Sequence, residues 1–425
     1  MVTLKLTQMA HGGPALGRHE GKIFFVPYAL PGETVVVEEE ISRKGWARAH
    51  LTEVVEPSSD RVVPACFHFG PYGCGGCQWQ HIRYPAQLAF KTEVVGDQLV
   101  RIGGLGAVPV RPARAVGEPW GYRNHVQLQV SPHGLGYVSA DGTRIEPIST
   151  CPIMHARVAE LFDELDIEID SLERLSLRTG VNTDQQLVIF ETTDDEPFEL
   201  MVDRPVSCVL MLSDGTPITL VGRDHLLERV AGIECRVSAA SFFRVNTPGA
   251  QALIEAVADY LSPRPGDTLL DLYCGVGLFS LALAAKVAQV IAVESHPAAA
   301  TDARFNAAAA GLDNVRVIHQ DVTGALSGLE ESIQAAVVDP PRTGCGPQVM
   351  QQLVALQPRR LAYVACDPAS LARDARSIVE AGYHLVEVQP LDLFPQTCHV
   401  ESVAIFELHK QSWPVAGTRN NSSIV

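Results

Sequence analysis

No window of the 425-residue chain approaches the roughly 18 uncharged apolar residues that a membrane-spanning helix needs, so no membrane partner is expected. The opening stretch, MVTLKLTQMAHGG, has no apolar run of signal-peptide length, and a cytoplasmic location is expected. No segment repeats, which excludes solenoid and propeller architectures. Net positive charge is also lacking. There are 33 Lys and Arg against 49 Asp and Glu, a balance of −16 that argues against indiscriminate binding to polyanions. Ten cysteines in a chain of this size do not suggest a disulfide framework in a reducing compartment. Those that cluster are better candidates for metal binding or catalysis.

The acidity is local. Residues 151–235 hold 18 acidic and 6 basic side chains, whereas residues 66–125 hold 6 basic and 3 acidic. A nucleic-acid face therefore remains open if it avoids the acidic segment.

Three regions follow from the patterning. Residues 1–58 read as short strands (22–26, 33–37 and 49–55) punctuated by Pro31-Gly32 and Lys44-Gly45, a small β-module of barrel type. The run Pro57-Ser58-Ser59-Asp60 reads as a linker. Residues 59–235 are mixed, with helical spacing over Tyr84–Ile102 and strands such as 186–190. From 236 to about 410, five apolar strand runs (268–272, 290–293, 315–318, 335–338 and 361–364) alternate with Ala-rich helices, which predicts a doubly wound, Rossmann-like α/β sheet. The polar tail, 411–425, is expected to be disordered.

Two of those strands break off at chemistry. Val337-Val338 runs into Asp339-Pro340-Pro341-Arg342, and Val364-Ala365 runs into Cys366-Asp367-Pro368. Ligands of open α/β sheets bind at such carboxyl ends. One end offers a carboxylate and the other a thiol, a possible covalent nucleophile. A lone strand-end Cys is more often a small buried hydrophobe, so the context decides.

Upstream, Asp271 to Ser280 (DLYCGVGLFS) joins the first strand to a helix, with Gly275 and Gly277 allowing a tight turn and close ligand approach. Ser280 stands where a nicotinamide fingerprint wants a third glycine. Glu294, Asp321 and Asp339 end the next three strands, and this ring of carboxylates disfavours a polyphosphate. It suits a cofactor with ribose hydroxyls, an amino-bearing base and positive charge, as in S-adenosylmethionine, with Glu294 placed to hold the ribose. Elsewhere, Cys66, Cys74 and Cys77 cluster as CX7CGGC, which in a reducing compartment suggests zinc or an iron–sulfur cluster. Cys151, Cys208 and Cys235 are candidates for a fourth thiolate.

Jointly these motifs resemble the S-adenosylmethionine-dependent RNA 5-methyluridine methyltransferases of the 23S rRNA (uracil-5-)-methyltransferase type. The resemblance extends to about residue 410. Residues 21–27 (GKIFFVP) with 30–33 (LPGE) resemble the TRAM domain, an RNA-binding, OB-like β-barrel. Residues 74–81 (CGGCQWQH) with Gln87, Leu88 and Lys91 resemble the segment of a central α+β domain that holds a [4Fe–4S] cluster. Asp339–Arg342, Cys366–Pro368 with 371–374 (LARD), and 399–403 (HVESV) resemble the active-site motifs.

The resemblance implies Cys366 as nucleophile and Glu401 as general base. It implies Cys66, Cys74, Cys77 and Cys151 as cluster ligands, and cofactor contacts from Tyr273, Leu278, Glu294, Asp321 and Asp339. The expected partner is RNA, 23S rRNA ahead of tRNA, and a monomer is expected. A non-catalytic iron–sulfur RNA-binding protein is the rival class. Two departures stand out. Arg244, in 242–246 (FFRVN), replaces a family Gln that touches the cofactor, and is kept as a cofactor-contact candidate. The Cys66–Cys74 gap is two residues longer than the commonest pattern, an expected loop bulge. Trp79 is a candidate stacking platform for RNA, with a core role expected equally.

Overall fold

The computed structural model describes residues 1–409, so the expected tail, 411–425, lies outside the described residues. Among the described residues no helix is long and apolar enough to cross a membrane.

The N-terminal strands Val2–Met9, Ala15–His19, Lys22–Val26, Thr34–Ser42 and Trp46–Glu56 close into a five-stranded barrel. Alternation along Val2–Met9 sends Leu4, Leu6 and Met9 inward to Phe24, Val26, Val35 and Val37. The 57–60 stretch is pinned rather than free. Arg61 donates to both carboxylate oxygens of the buried Glu33 at 2.5 and 2.8 Å, and Ser58 N–H reaches the same carboxylate at 3.3 Å.

Next, a seven-stranded sheet runs in the order Pro217–Val221, Ser207–Met211, Gln186–Thr192, Leu172–Thr179, His125–Ser131, Gly134–Val138 and Ile145–Pro147. The hairpin His225–Val230/Ile233–Ser238 leads on to the helix Thr247–Leu261.

The last layer is an eight-stranded sheet. Its order is Val315–His319, Gln289–Glu294, Thr268–Leu272, Ala335–Val338, Arg360–Ala365, Glu401–Leu408, Tyr383–Asp392 and Arg114–Ala115. The first five strands are those expected, and they pair in parallel. Both faces are covered: Leu270, Ile291, Ala336 and Leu361 enter one apolar core, while Leu269, Val290, Val337 and Ala362 enter another. Burial on both faces is why these strands read as unbroken apolar runs. Three strands are additional to those expected, and Tyr383–Asp392 pairs antiparallel with Glu401–Leu408. Glu401–Leu408 is antiparallel to Arg360–Ala365, and Arg114–Ala115 joins the edge from the middle of the chain. The segments expected as central and C-terminal units therefore interlock. The helix Tyr84–Arg101 adds Val95 and Leu99 to a core of that sheet.

Candidate active site

Asp339 follows the strand Ala335–Val338, and Cys366 follows Arg360–Ala365, so both stand at carboxyl ends of neighbouring parallel strands. Glu401 arrives from the opposite direction. Ala365 pairs with Ser402, which sets Glu401 beside Cys366 although 34 residues separate them in the chain. Its carboxyl group is fully buried. One oxygen accepts a hydrogen bond from Arg244 at 2.8 Å; the other, Oε2, has no partner among the described residues. The second guanidinium nitrogen of Arg244 pairs with Asp339. Arg244 thus bridges two of the expected site carboxylates.

The charges act on one another. Burial works against the Arg244 cation, but the attraction of Asp339 and Glu401 outweighs it, and the guanidinium holds its proton more firmly than usual. Burial pushes the Glu401 carboxyl up, Arg244 pulls it back, and Asp339 adds to the rise. Burial and then Glu401 push the half-buried Cys366 thiol up to about 11, against the pull of Arg244 and Arg342.

Two loops support these groups. Asp367 caps the helix Pro368–Glu380 by accepting Ser370 N–H at 2.8 Å, and His11 from the first barrel turn lies 3.0 Å from its carboxylate. Although burial opposes it, the His11 and Ser370 hydrogen bonds hold that carboxyl down at about 2. The loop before Glu401 is gripped by the cysteine-bearing segment. Gln78 and Trp79 donate their N–H groups to Gln396 O at 3.2 and 2.9 Å. Gln87 and Gln396 bond reciprocally at 3.0 Å, and Tyr122 O–H donates to Pro395 O at 3.1 Å.

At the cofactor turn, Tyr273 (φ 62°), Gly275 (φ 56°) and Gly277 (φ 94°) adopt left-handed backbone. A Cβ on Gly275 would meet nothing within 4 Å, so the turn faces open space. Gly275 N–H donates to Glu294 at 2.9 Å, and His296 N–H donates to the same carboxylate at 2.7 Å. Asp321 caps its helix through Gly324 N–H at 2.9 Å. Leu278 is buried at the start of the following helix. Behind the turn, burial raises the Asp271 carboxyl to about 7, against the pull of a 2.5 Å hydrogen bond from Ser280.

Cys66, Cys74, Cys77 and Cys151 line one cavity of about 120 Å³. Cys208 and Cys235 lie in other apolar clusters and do not reach it. Gly75 is required beside it, because a Cβ there would sit 2.7 Å from Val138 O. Burial, followed by mutual repulsion of the thiolates, pushes Cys77 up to about 12 and Cys74, against the pull of Gly76 N–H, up to about 11. Among the described residues no three His, Cys, Asp or Glu side chains are placed to hold a single metal ion. The residues 67–73 between Cys66 and Cys74 form the expected loop.

Of the two roles open to Trp79, the structure shows the core one. It is 1% exposed, and its Nε1–H donates to Gly13 O at 3.0 Å, so it is a core residue between barrel and helix. The sequence reading also missed His11, Gln396 and the exposed Phe242, whose ring centroid lies 6.0 Å from the Arg244 guanidinium carbon. The one available signal was an Arg set in an apolar run, FFRVN.

The pattern of the tRNA (Uracil-5-)-methyltransferase family matches residues 221–409. An uncharacterised RNA methyltransferase of Streptomyces coelicolor is 39% identical, over 94% of this chain and 91% of its own. A 23S rRNA (uracil(1939)-C(5))-methyltransferase of Shewanella sediminis is 32% identical over 96% of each. The crystal structure of Pyrococcus abyssi tRNA (uracil-54, C5)-methyltransferase with S-adenosyl-L-homocysteine superposes with a TM-score of 0.75 and 25% identity, covering 95% of this chain and 100% of that one. The chain therefore has a methyltransferase fold with a closed N-terminal barrel, and it belongs to the RNA (uracil-5-)-methyltransferase family.

Proposed function

We propose that this protein transfers a methyl group from S-adenosylmethionine to C5 of a uridine in RNA, with 23S rRNA the favoured substrate, through a transient bond between Cys366 Sγ and uracil C6. The observation that carries the reading is the meeting of Cys366, Glu401 and Asp339 at adjoining strand ends. The full-length match to a 23S rRNA enzyme supports the choice of RNA.

Uracil C5 is a poor nucleophile. Addition of the Cys366 thiolate to C6 turns C5 into an enolate carbon able to accept a methyl group. When bound, S-adenosylmethionine supplies that methyl as an electrophile. Tyr273, Gly275, Gly277, Leu278, Glu294, Asp321 and Asp339 would hold it. Glu401 then takes the C5 proton through its unpartnered Oε2, which restores the ring double bond and releases the thiolate. The target base must leave its stack to enter, at about a few kcal/mol. The barrel, read as a TRAM-type module over 1–58, would grip flanking nucleotides beside the methyltransferase region 236–410.

The Glu401 role has a direct test. Glu401→Gln keeps the shape and removes the base, so methylated protein–RNA adduct should accumulate on ordinary RNA. Normal turnover by this variant would transfer the role to another group.

Cys66, Cys74, Cys77 and Cys151 would hold a [4Fe–4S] cluster within a central domain, 59–235. Four cysteines line one cavity, matching the four thiolates that such a cluster takes. The polar methyl transfer gives such a cluster no electron to carry, so its part is to cross-link these loops. Anaerobically purified protein should be brown with about four irons per chain. Stoichiometric zinc in that preparation would rule the cluster out.

A further inference from the structure

Arg244 lies between Asp339 and Glu401, and its surroundings leave it little freedom. Ser238 and Ser241, just before it, are fastened to the buried Asp302: Ser238 N–H donates at 2.8 Å, and the two hydroxyls at 2.7 and 2.6 Å. Just after it, Asn246 caps the helix Thr247–Leu261 through Gly249 N–H at 3.0 Å and donates to Leu393 O at 2.9 Å. The backbone between is held as well. Asn124 N–H donates to Val245 O at 2.8 Å, and the Asn124 amide donates to Arg244 O at 3.2 Å. A side chain fixed this way at its root and 10% exposed at its tip is a built part of the site.

We infer that Arg244 is a positioning residue for the proton-removal half of the reaction, anchoring Glu401 Oε1 so that Oε2 alone is presented to the C5 proton and tying Asp339 into the same fork. The inference rests on the assignment of Cys366 and Glu401 made above. In the step concerned, Glu401 Oε2 takes the C5 proton, the electron pair of the C5–H bond restores the C5–C6 double bond, and the C6–Sγ bond breaks to return its pair to Cys366. A carboxylate free to rotate would offer either oxygen at varying distances. One anchored at Oε1 offers a single basic oxygen in one place.

Arg and Gln are not equivalent in this setting. A Gln amide carries its two donors on one uncharged nitrogen. It has no charge to offset the buried Glu401, whose ionisation is disfavoured by burial and by the nearby Asp339. A guanidinium presents two nitrogens in a planar fork and always carries its charge. In this chain the state and orientation of the base therefore depend on Arg244, and a Gln in its place would damage the enzyme.

Arg244→Gln and Arg244→Lys test this against wild type, with two RNA substrates. With ordinary uridine RNA, Arg244→Gln should turn over at least about tenfold more slowly, the equivalent of about 1.4 kcal/mol in the barrier. Methylated covalent adduct, scarce in wild type, should accumulate in it. Arg244→Lys keeps a charge but loses the fork, and should recover part of the turnover. With 5-fluorouridine RNA, which has no C5 proton to remove, Arg244→Gln should still form the stable adduct. Normal turnover by Arg244→Gln overturns the inference. So does joint loss of trapping and turnover without accumulated adduct, because Arg244 would then serve thiolate addition or folding. Failure of the wild-type protein to trap 5-fluorouridine RNA would instead bring down the assignment of Cys366 itself.

Discussion

Cys366→Ala should abolish RNA methylation, lowering turnover by at least about 10⁴-fold, in the range seen when a covalent nucleophile is removed. Without addition at C6 the uracil ring has no enolate carbon to offer, and no other thiol stands at this strand end. The cofactor turn, Tyr273–Gly277, is built by a different strand and should still bind S-adenosylmethionine. The decisive measurement is capture of 5-fluorouridine RNA. The wild-type protein should give a complex that survives denaturation, and Cys366→Ala should give none. Equal capture by both would remove Cys366 from the mechanism.

The second large effect concerns stability. Lys91 and Asp392 form a fully buried ion pair at 2.6 Å between the helix Tyr84–Arg101 and the strand Tyr383–Asp392. Lys91 also donates to Phe394 O at 3.1 Å. Burial lowers the Lys91 ammonium's hold on its proton, and Asp392 opposes that shift. Lys91→Met would leave an uncompensated charge in the interior, a loss of about 3–5 kcal/mol. Pairing it with Asp392→Leu should recover most of that loss, since apolar side chains of similar size commonly replace a buried pair without harm. Denaturant midpoints of the two variants check this. If the single substitution costs under about 1 kcal/mol, the pair is not what joins the helix to the sheet.

What was legible in the sequence was local. Strands buried on both faces announce themselves as apolar runs, and Asp339 and Cys366 stood out because each such run ended on a reactive group. Glu401 was reached only through the resemblance of its HVESV setting: its burial and its place beside Cys366 come from the Ala365–Ser402 register, a pairing across distant segments. Arg114–Ala115 joining the sheet edge was hidden for the same reason, because two residues carry no periodicity. Arg244 was visible as an oddity, but its two carboxylate partners lie 95 and 157 positions away. For Trp79 the sequence left core and stacking roles equally open, because nothing in its neighbours tells of the barrel turn that covers it.

That turn, Ala10 to Pro14, has a consequence for how this architecture can be altered. His11 reaches Asp367 beside the nucleophile, and a Cβ on Gly13 would come 2.9 Å from the Cys398 Cβ on the loop leading to Glu401. The barrel is thus keyed into the loops beside both Cys366 and Glu401. A chimera carrying a relative's barrel would import a foreign key. Unless the graft brought a donor for Asp367 and a bare backbone at position 13, it would unseat the loops that carry Cys366 and Glu401. A whole-module exchange therefore succeeds only if both features travel with the barrel.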